Sequence, residues 1–259
     1  DCTPAQAIEA KMTSSSFDGT ALTEYGDPSA PALVLIHGLG LNQSAWQWQI
    51  ACLAKSHHVI TYDLFGHGQS SNPPKTPSLT LFCEQLLGVL DHYKCPSASL
   101  VGFSLGGMIV RKFAQDYPKR VDKLVILHSP HRRTDAAQKA ILDRVDQARI
   151  DGPSATVEAA LERWFTAPFR KNNPEMMDLV RGWVMANKTD VYHTTYQVLA
   201  DGIDEIIAPD PAIECPTLVI TGDEDYGNGP EMTQAIAAEI PGAKSIILKG
   251  LRHMALAED

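Results

Sequence analysis

Short apolar runs alternate along this chain with longer segments whose apolar positions recur at helical spacing. Ala32-Leu33-Val34-Leu35-Ile36, His58-Val59-Ile60-Thr61-Tyr62, Ala98-Ser99-Leu100-Val101, Leu124-Val125-Ile126-Leu127, Thr217-Leu218-Val219-Ile220 and Ser245-Ile246-Ile247-Leu248 predict strands. Charge falls mainly at their ends, as it does in strands covered on both faces. The segments at about 43–54, 78–94, 104–117 and 230–239 predict helices. Strand, helix, strand, helix implies an α/β fold, with a mostly parallel central sheet flanked by helices.

That rhythm breaks between His131 and about Ile206. Asp135–Ile150, Ala155–Phe165, Pro174–Asn187 and Asp190–Ala200 read as helices with no strand between them. The expected division is a core of residues 1–130 and 206–259, with 131–205 inserted as a helical cap over the strand ends. Packing of those helices on the outer face of the sheet is the alternative. No internal repeat or low-complexity tract is visible, and Asn72-Pro73-Pro74-Lys75-Thr76-Pro77 reads as a stiff loop.

Composition narrows the function classes. At 259 residues the chain can bury a large core, and a formal charge of −9 argues against nucleic acid or an anionic membrane as partner. No apolar stretch approaches the roughly 18 residues of a membrane span. The start, Asp1-Cys2-Thr3-Pro4, has no basic segment followed by an apolar one, so no secretory signal is expected, and Met12 is a plausible natural start. Five scattered cysteines without a C-x-x-C pair point to free thiols and a cytoplasmic location.

The chemistry concentrates at Gly102-Phe103-Ser104-Leu105-Gly106. A serine between a strand and a helix sits on a sharp turn, and its flanking glycines avoid collisions across that turn. A serine hydroxyl needs a base, and the base an orienting acid. His253 follows the last strand, and Asp223-Glu224-Asp225 follows the strand before it, at the same edge of a parallel sheet as Ser104. Spacing favours Asp225 as the acid, with Asp223 the alternative. An oxyanion hole needs two backbone donors. Leu105 N–H supplies one, and His37-Gly38-Leu39-Gly40 supplies the other, through Leu39 first and Gly40 second. Among the remaining histidines, His67 is expected to brace a loop, and His128 and His131 are candidates to line the pocket. His57, His58 and His92 read as solvated or partly packed, and His193 as part of the cap.

These blocks resemble the α/β-hydrolase fold. His37-Gly38-Leu39-Gly40, Asp63-Leu64-Phe65-Gly66-His67-Gly68-Gln69-Ser70, Gly102-Phe103-Ser104-Leu105-Gly106-Gly107, Gly222-Asp223-Glu224-Asp225 and Gly250-Leu251-Arg252-His253 follow the family's order from about Thr20 onward. The resemblance implies Ser104 as nucleophile, Asp225 as acid and His253 as base, with no metal or organic cofactor. Gly107-Met108-Ile109 and Glu162-Arg163-Trp164-Phe165-Thr166 are similar to 3-oxoadipate enol-lactonases and related esterases. The chain departs from the family at Arg252, where a small residue usually precedes the histidine. A bulky cation there is expected to affect the histidine loop.

The expected activity is hydrolysis of a small-molecule carboxylic ester or lactone through an acyl-enzyme. Arg132, Arg133 and Arg163 are candidates to pair with a substrate carboxylate, as an enol-lactone diacid requires. Trp164 and Trp183 are candidates to shape an apolar pocket, and His128 joins the candidate substrate contacts. Hydrolysis of a carbon–carbon bond in a ring-cleavage product uses the same three groups and remains an alternative. A non-catalytic receptor on the same scaffold is a third reading.

Overall fold

The computed structural model describes residues 12–259. The expectations placed on the chain start and on Cys2 lie outside them. Eight strands form one sheet: β1 Met12–Phe17, β2 Thr20–Tyr25, β3 Ala32–Ile36, β4 His58–Tyr62, β5 Ala98–Phe103, β6 Val121–Leu127, β7 Thr217–Gly222 and β8 Lys244–Leu248. Their spatial order is β1-β2-β4-β3-β5-β6-β7-β8. β1 and β2 pair antiparallel, as do β2 and β4, and every later pairing is parallel.

All six strands expected from the apolar runs are present. β1 and β2 escape that reading because β1 is exposed at every position and carries Thr, Ser, Ser and Ser between its ends. Their signal is the turn instead. Asp18 and Gly19 both have positive φ, 47° and 76°, as a two-residue type I′ hairpin requires.

The helices are α1 Ile50–Leu53, α2 Leu79–His92, α3 Leu105–Asp116, α4 Asp135–Asp151, α5 Val157–Trp164, α6 Ala167–Asn172, α7 Pro174–Met185, α8 Thr189–Asp201, α9 Pro230–Ala238 and α10 Ala255–Glu258. The helix expected over 43–54 is broken: a 3₁₀ turn at Gln43–Trp46, capped by the Asn42 side chain, precedes the single turn of α1. α6 is additional to the expected elements. Five helices, α4 to α8, lie between β6 and β7 in sequence.

β4 is buried at every position and β3 at all but its first, with Val34, Leu35, Ile36, Val59, Ile60 and Tyr62 fully inaccessible. Burial of this kind stabilises by about 25 cal/mol per Å² of apolar surface and makes the strand ends a rigid platform. Strand order reverses about β3: β4 lies on one side of it and β5 on the other. Loops leaving β3 and β5 therefore diverge, opening a crevice at the carboxyl edge of the sheet.

Cys83, Cys95 and Cys215 are free thiols, whereas Cys52 is disulfide-bonded, so the expectation of free thiols fails there. Sequence spacing does not display the spatial approach that pairing needs. No helix among the described residues is long and apolar enough to cross a membrane.

Candidate active site

β5 runs into Ser104, whose backbone takes φ 54° and ψ −113° before α3 begins. This strained conformation is held from both sides. Ser104 N–H donates to Leu127 O at 2.8 Å, and Ser129 Oγ donates to Ser104 O at 2.9 Å. The flanking glycines are sterically required. A Cβ on Gly102 would stand 2.2 Å from Gly106 O, and one on Gly106 would stand 2.2 Å from Ile36 O. The whole turn is thus pressed between β3 and α3, and the serine hydroxyl is left at the crevice.

β7 delivers Asp225 and β8 delivers His253 to the same edge. His253 Nδ1 lies 2.8 Å from Asp225 Oδ2. The other carboxylate oxygen accepts main-chain N–H groups from Gly227 and Asn228, at 3.2 and 3.0 Å. Burial pushes the Asp225 carboxyl up, but the His253 and His128 rings beside it outweigh that and hold it below the ordinary carboxylate range. Asp223 is employed elsewhere: its Oδ1 accepts from Gly250 N–H at 2.7 Å and fixes the turn after β8. Ser104, Asp225 and His253 all line one cavity beneath the inserted helices, together with Leu39.

The loop after β3 passes hard against the serine turn. A Cβ on Gly38 would meet Phe103 and Ser104 at 3.0 to 3.2 Å. Gly40 N–H is already spent on His67 Nε2 at 3.0 Å, which narrows the candidate oxyanion donor in this loop to Leu39. His67 thus braces the loop, as its flanking glycines suggested.

The other sequence candidates divide. Arg163 and Trp164 line the cavity, and so does Arg133. Arg132 is exposed and outside the lining, because its neighbour Arg133 takes the inward direction and bonds the carbonyls of Leu199 and Ala200. Trp183 packs near Trp48 with ring centroids 6.3 Å apart, away from the cavity. His131 pairs with Glu239 at 2.7 Å. His128 is turned from the cavity toward Asp225 Oδ2, at 2.9 Å from Nδ1.

Arg144, on α4, also lines the cavity and bonds Tyr196 Oη at 3.0 Å. Sequence reasoning passed over it because α4 carries many charges and only packing decides which of them faces inward. Among the described residues, none of Arg133, Arg144 and Arg163 has a carboxylate within ion-pair range. Burial pushes the Arg133 guanidinium down to about 10, with Arg144 adding to the effect, and Arg163 is lowered by the same two causes. Three cations therefore line one cavity, none of them ion-paired to a carboxylate among the described residues, inside a protein of net charge −9.

Arg252, just before His253, points away from the cavity. Its Nη1 donates to Glu162 O at 2.7 Å and Phe165 O at 3.2 Å, and its guanidinium lies over the Tyr226 ring. Met254 N–H donates to Trp164 O at 2.9 Å. The histidine loop is therefore tied to the carbonyl end of α5, a favourable place for a cation.

His128, Asp225 and His253 bring three donor atoms within 4.8 Å of one another. Both imidazole nitrogens already sit at hydrogen-bond distance from one carboxylate oxygen, the geometry of a proton-holding cluster.

Comparison with known proteins agrees with this architecture. Residues 31–259 match the family described as alpha/beta hydrolase fold. An (E)-2-((N-methylformamido)methylene)succinate hydrolase from Acinetobacter baylyi is 31% identical over 228 residues, covering 86% of this chain and 83% of its own length. The 3-oxoadipate enol-lactonase 2 of the same organism is 29% identical over 201 residues, covering 78% and 74%. The crystal structure of the enol-lactonase from Burkholderia xenovorans LB400 superposes with a TM-score of 0.85 at 26% identity, covering 95% of this chain and 94% of that one.

Proposed function

The chain belongs to the alpha/beta hydrolase fold family, and from that premise we propose that it is a serine hydrolase of small carboxylic esters or lactones that carry a carboxylate. The observation that carries this reading is the bond from His253 to Asp225, formed at the wall of a cavity that also holds Ser104.

In the proposed reaction His253 takes the Ser104 proton as Oγ bonds to the substrate carbonyl carbon. The carbonyl π electrons move to oxygen, where the N–H groups of Leu39 and Leu105 receive the charge. That intermediate collapses, the bond to the leaving oxygen breaks, and His253 returns the proton to it. Water then attacks the acyl-serine by the same steps, releasing the acid and restoring the hydroxyl. The unpaired cations Arg133, Arg144 and Arg163 support an anionic substrate, since a carboxylate among them relieves their mutual repulsion. The names of the two Acinetobacter relatives, an (E)-2-((N-methylformamido)methylene)succinate hydrolase and a 3-oxoadipate enol-lactonase, both carry a carboxylated substrate, and the second supports a lactone. The inserted helices, 131–205, act in this reading as a cap that sets specificity.

A panel of carboxylated and neutral esters and lactones, including p-nitrophenyl esters, tests the proposal. The expected result is turnover abolished by Ser104→Ala, with an acyl adduct on Ser104 seen by intact mass. Turnover confined to vinylogous diketone acids replaces it with carbon–carbon hydrolysis. Binding without turnover replaces it with a receptor.

A further inference from the structure

One side chain in direct contact with the proposed acid is left unused by that mechanism. His128 follows β6 at φ 48°, a backbone region that β-carbon-bearing residues rarely adopt. The conformation is maintained by two main-chain bonds: His128 N–H to Ile220 O at 2.8 Å, and Asn228 Nδ2 to His128 O at 2.9 Å. The effect is to aim a buried imidazole at the same Asp225 oxygen that His253 uses, 2.9 Å against 2.8 Å. The two rings meet edge-on with centroids 5.7 Å apart.

Proton bookkeeping fixes the direction of the bond. Thr221 Oγ donates to Asn228 O at 2.6 Å, so its one hydrogen is spent and only its lone pairs face His128 Nδ1, at 3.3 Å. Nδ1 of His128 therefore faces two acceptors and carries the hydrogen. The titratable groups facing this ring are Asp225 and His253; Phe103 packs alongside with centroids 5.8 Å apart. Burial lowers His128 against the opposing pull of Asp225, which leaves it a neutral donor.

We propose that His128 is a positioning residue that divides the Asp225 carboxylate with His253, holding its orientation and limiting how strongly it stabilises a protonated His253. An oxygen that already accepts one N–H offers less negative potential to the second. Without His128, Asp225 holds a proton on His253 more tightly, so the base is freed only at higher pH. This inference rests on the serine-hydrolase reading for its catalytic meaning, but the coupling itself concerns three side chains and is measurable without turnover.

The test follows the His253 ring by NMR through a pH titration in the wild type, His128→Ala and His128→Asn, alongside the pH dependence of kcat/KM. Asparagine places an amide N–H close to where Nδ1 stands and tolerates positive φ. His128→Ala is expected to strengthen proton binding at His253 by roughly three- to tenfold and to move the acid limb of the rate profile to higher pH with it. His128→Asn restores most of the wild-type value. Where the alanine variant does not fold, His128→Leu fills the space without a donor. A titration of His253 that is the same in the donor-less variant overturns the proposal, as does a loss of kcat with no change in profile. A shifted titration in a protein that hydrolyses nothing upholds the coupling and sinks the hydrolase reading instead.

Discussion

The main-chain N–H of Gly40 donates to Nε2 of His67 across 27 residues of sequence, so the loop beside the serine is held by an imidazole that never meets the cavity. His67 Nδ1 in turn bonds Phe65 O at 3.0 Å. His37 repeats the arrangement, with Nδ1 on Gly38 O at 2.7 Å and Nε2 accepting from Leu64 N–H at 3.0 Å. Each ring donates once and accepts once, so both must be neutral.

That requirement sets a stability profile. Burial holds His37 down to about 4 and His67 to about 3, against 6.5 for a free imidazole. Above pH 6.5 neither group distinguishes folded from unfolded chain. Below it the unfolded chain takes up protons that the folded one refuses, and stability falls until pH passes the folded values. Each histidine contributes up to about 1.4 kcal/mol per pH unit over that window. Denaturant unfolding at pH 7 and pH 5 is expected to show this loss, with a shallower dependence in His67→Gln. The same variant loosens the loop and lowers kcat by about tenfold, less than the roughly 10²–10³ cost of deleting an oxyanion donor. An equal pH dependence in wild type and variant would falsify the assignment.

What the sequence made legible, and what it did not, follows from the range of the interactions. β3 and β5 announced themselves because strands buried on both faces are continuous apolar runs. Ser104 and His253 were legible because parallel strands deliver their C-terminal loops to one edge. β1 was hidden by its exposure, and only Asp18-Gly19 marked it. Arg144 and the inward turn of Arg133 depended on how α4 and α8 pack, which one-dimensional spacing does not carry. The contact of His128 with Asp225 spans 97 residues and turns on a single positive φ. Arg252 looked obstructive in sequence and is directed outward by the carbonyls of α5.

The strain at Ser104 separates stability from activity. A non-glycine residue at φ 54°, ψ −113° costs about 1–3 kcal/mol. Ser104→Gly removes the β-carbon responsible, and Ser104→Ala keeps it. The glycine variant is expected to unfold at higher denaturant than the alanine variant by about 1 kcal/mol, after the entropy that glycine adds to the unfolded chain. Both lose turnover. A glycine variant no more stable than the alanine one means the turn is unstrained.

Arg163 tests the anion reading. It lines the cavity with no carboxylate in range among the described residues. A charge-assisted hydrogen bond is worth about 1.5–3 kcal/mol, so Arg163→Met is expected to raise KM for a carboxylated ester by about 10- to 100-fold. A neutral ester of the same size changes little. Steady-state kinetics on the matched pair decide it, and an equal loss on both makes Arg163 a packing residue.

Arg252 joins the histidine loop to the end of α5 through two carbonyls and sits 3.6 Å from Glu224. Its side chain keeps about a fifth of its surface in solvent, so screening reduces what these contacts are worth. Arg252→Ala is expected to lower stability by about 1 kcal/mol and to release the loop that carries His253. The second effect is the diagnostic one. Faster amide exchange is expected at Met254, whose N–H reaches Trp164 O, together with a fall in kcat. Arg252→Lys keeps the charge and a donor for the carbonyls but loses the planar guanidinium that lies over the Tyr226 ring, so it restores stability only in part. Unchanged exchange at Met254 in the alanine variant would show that the loop is held by the strand and turn alone.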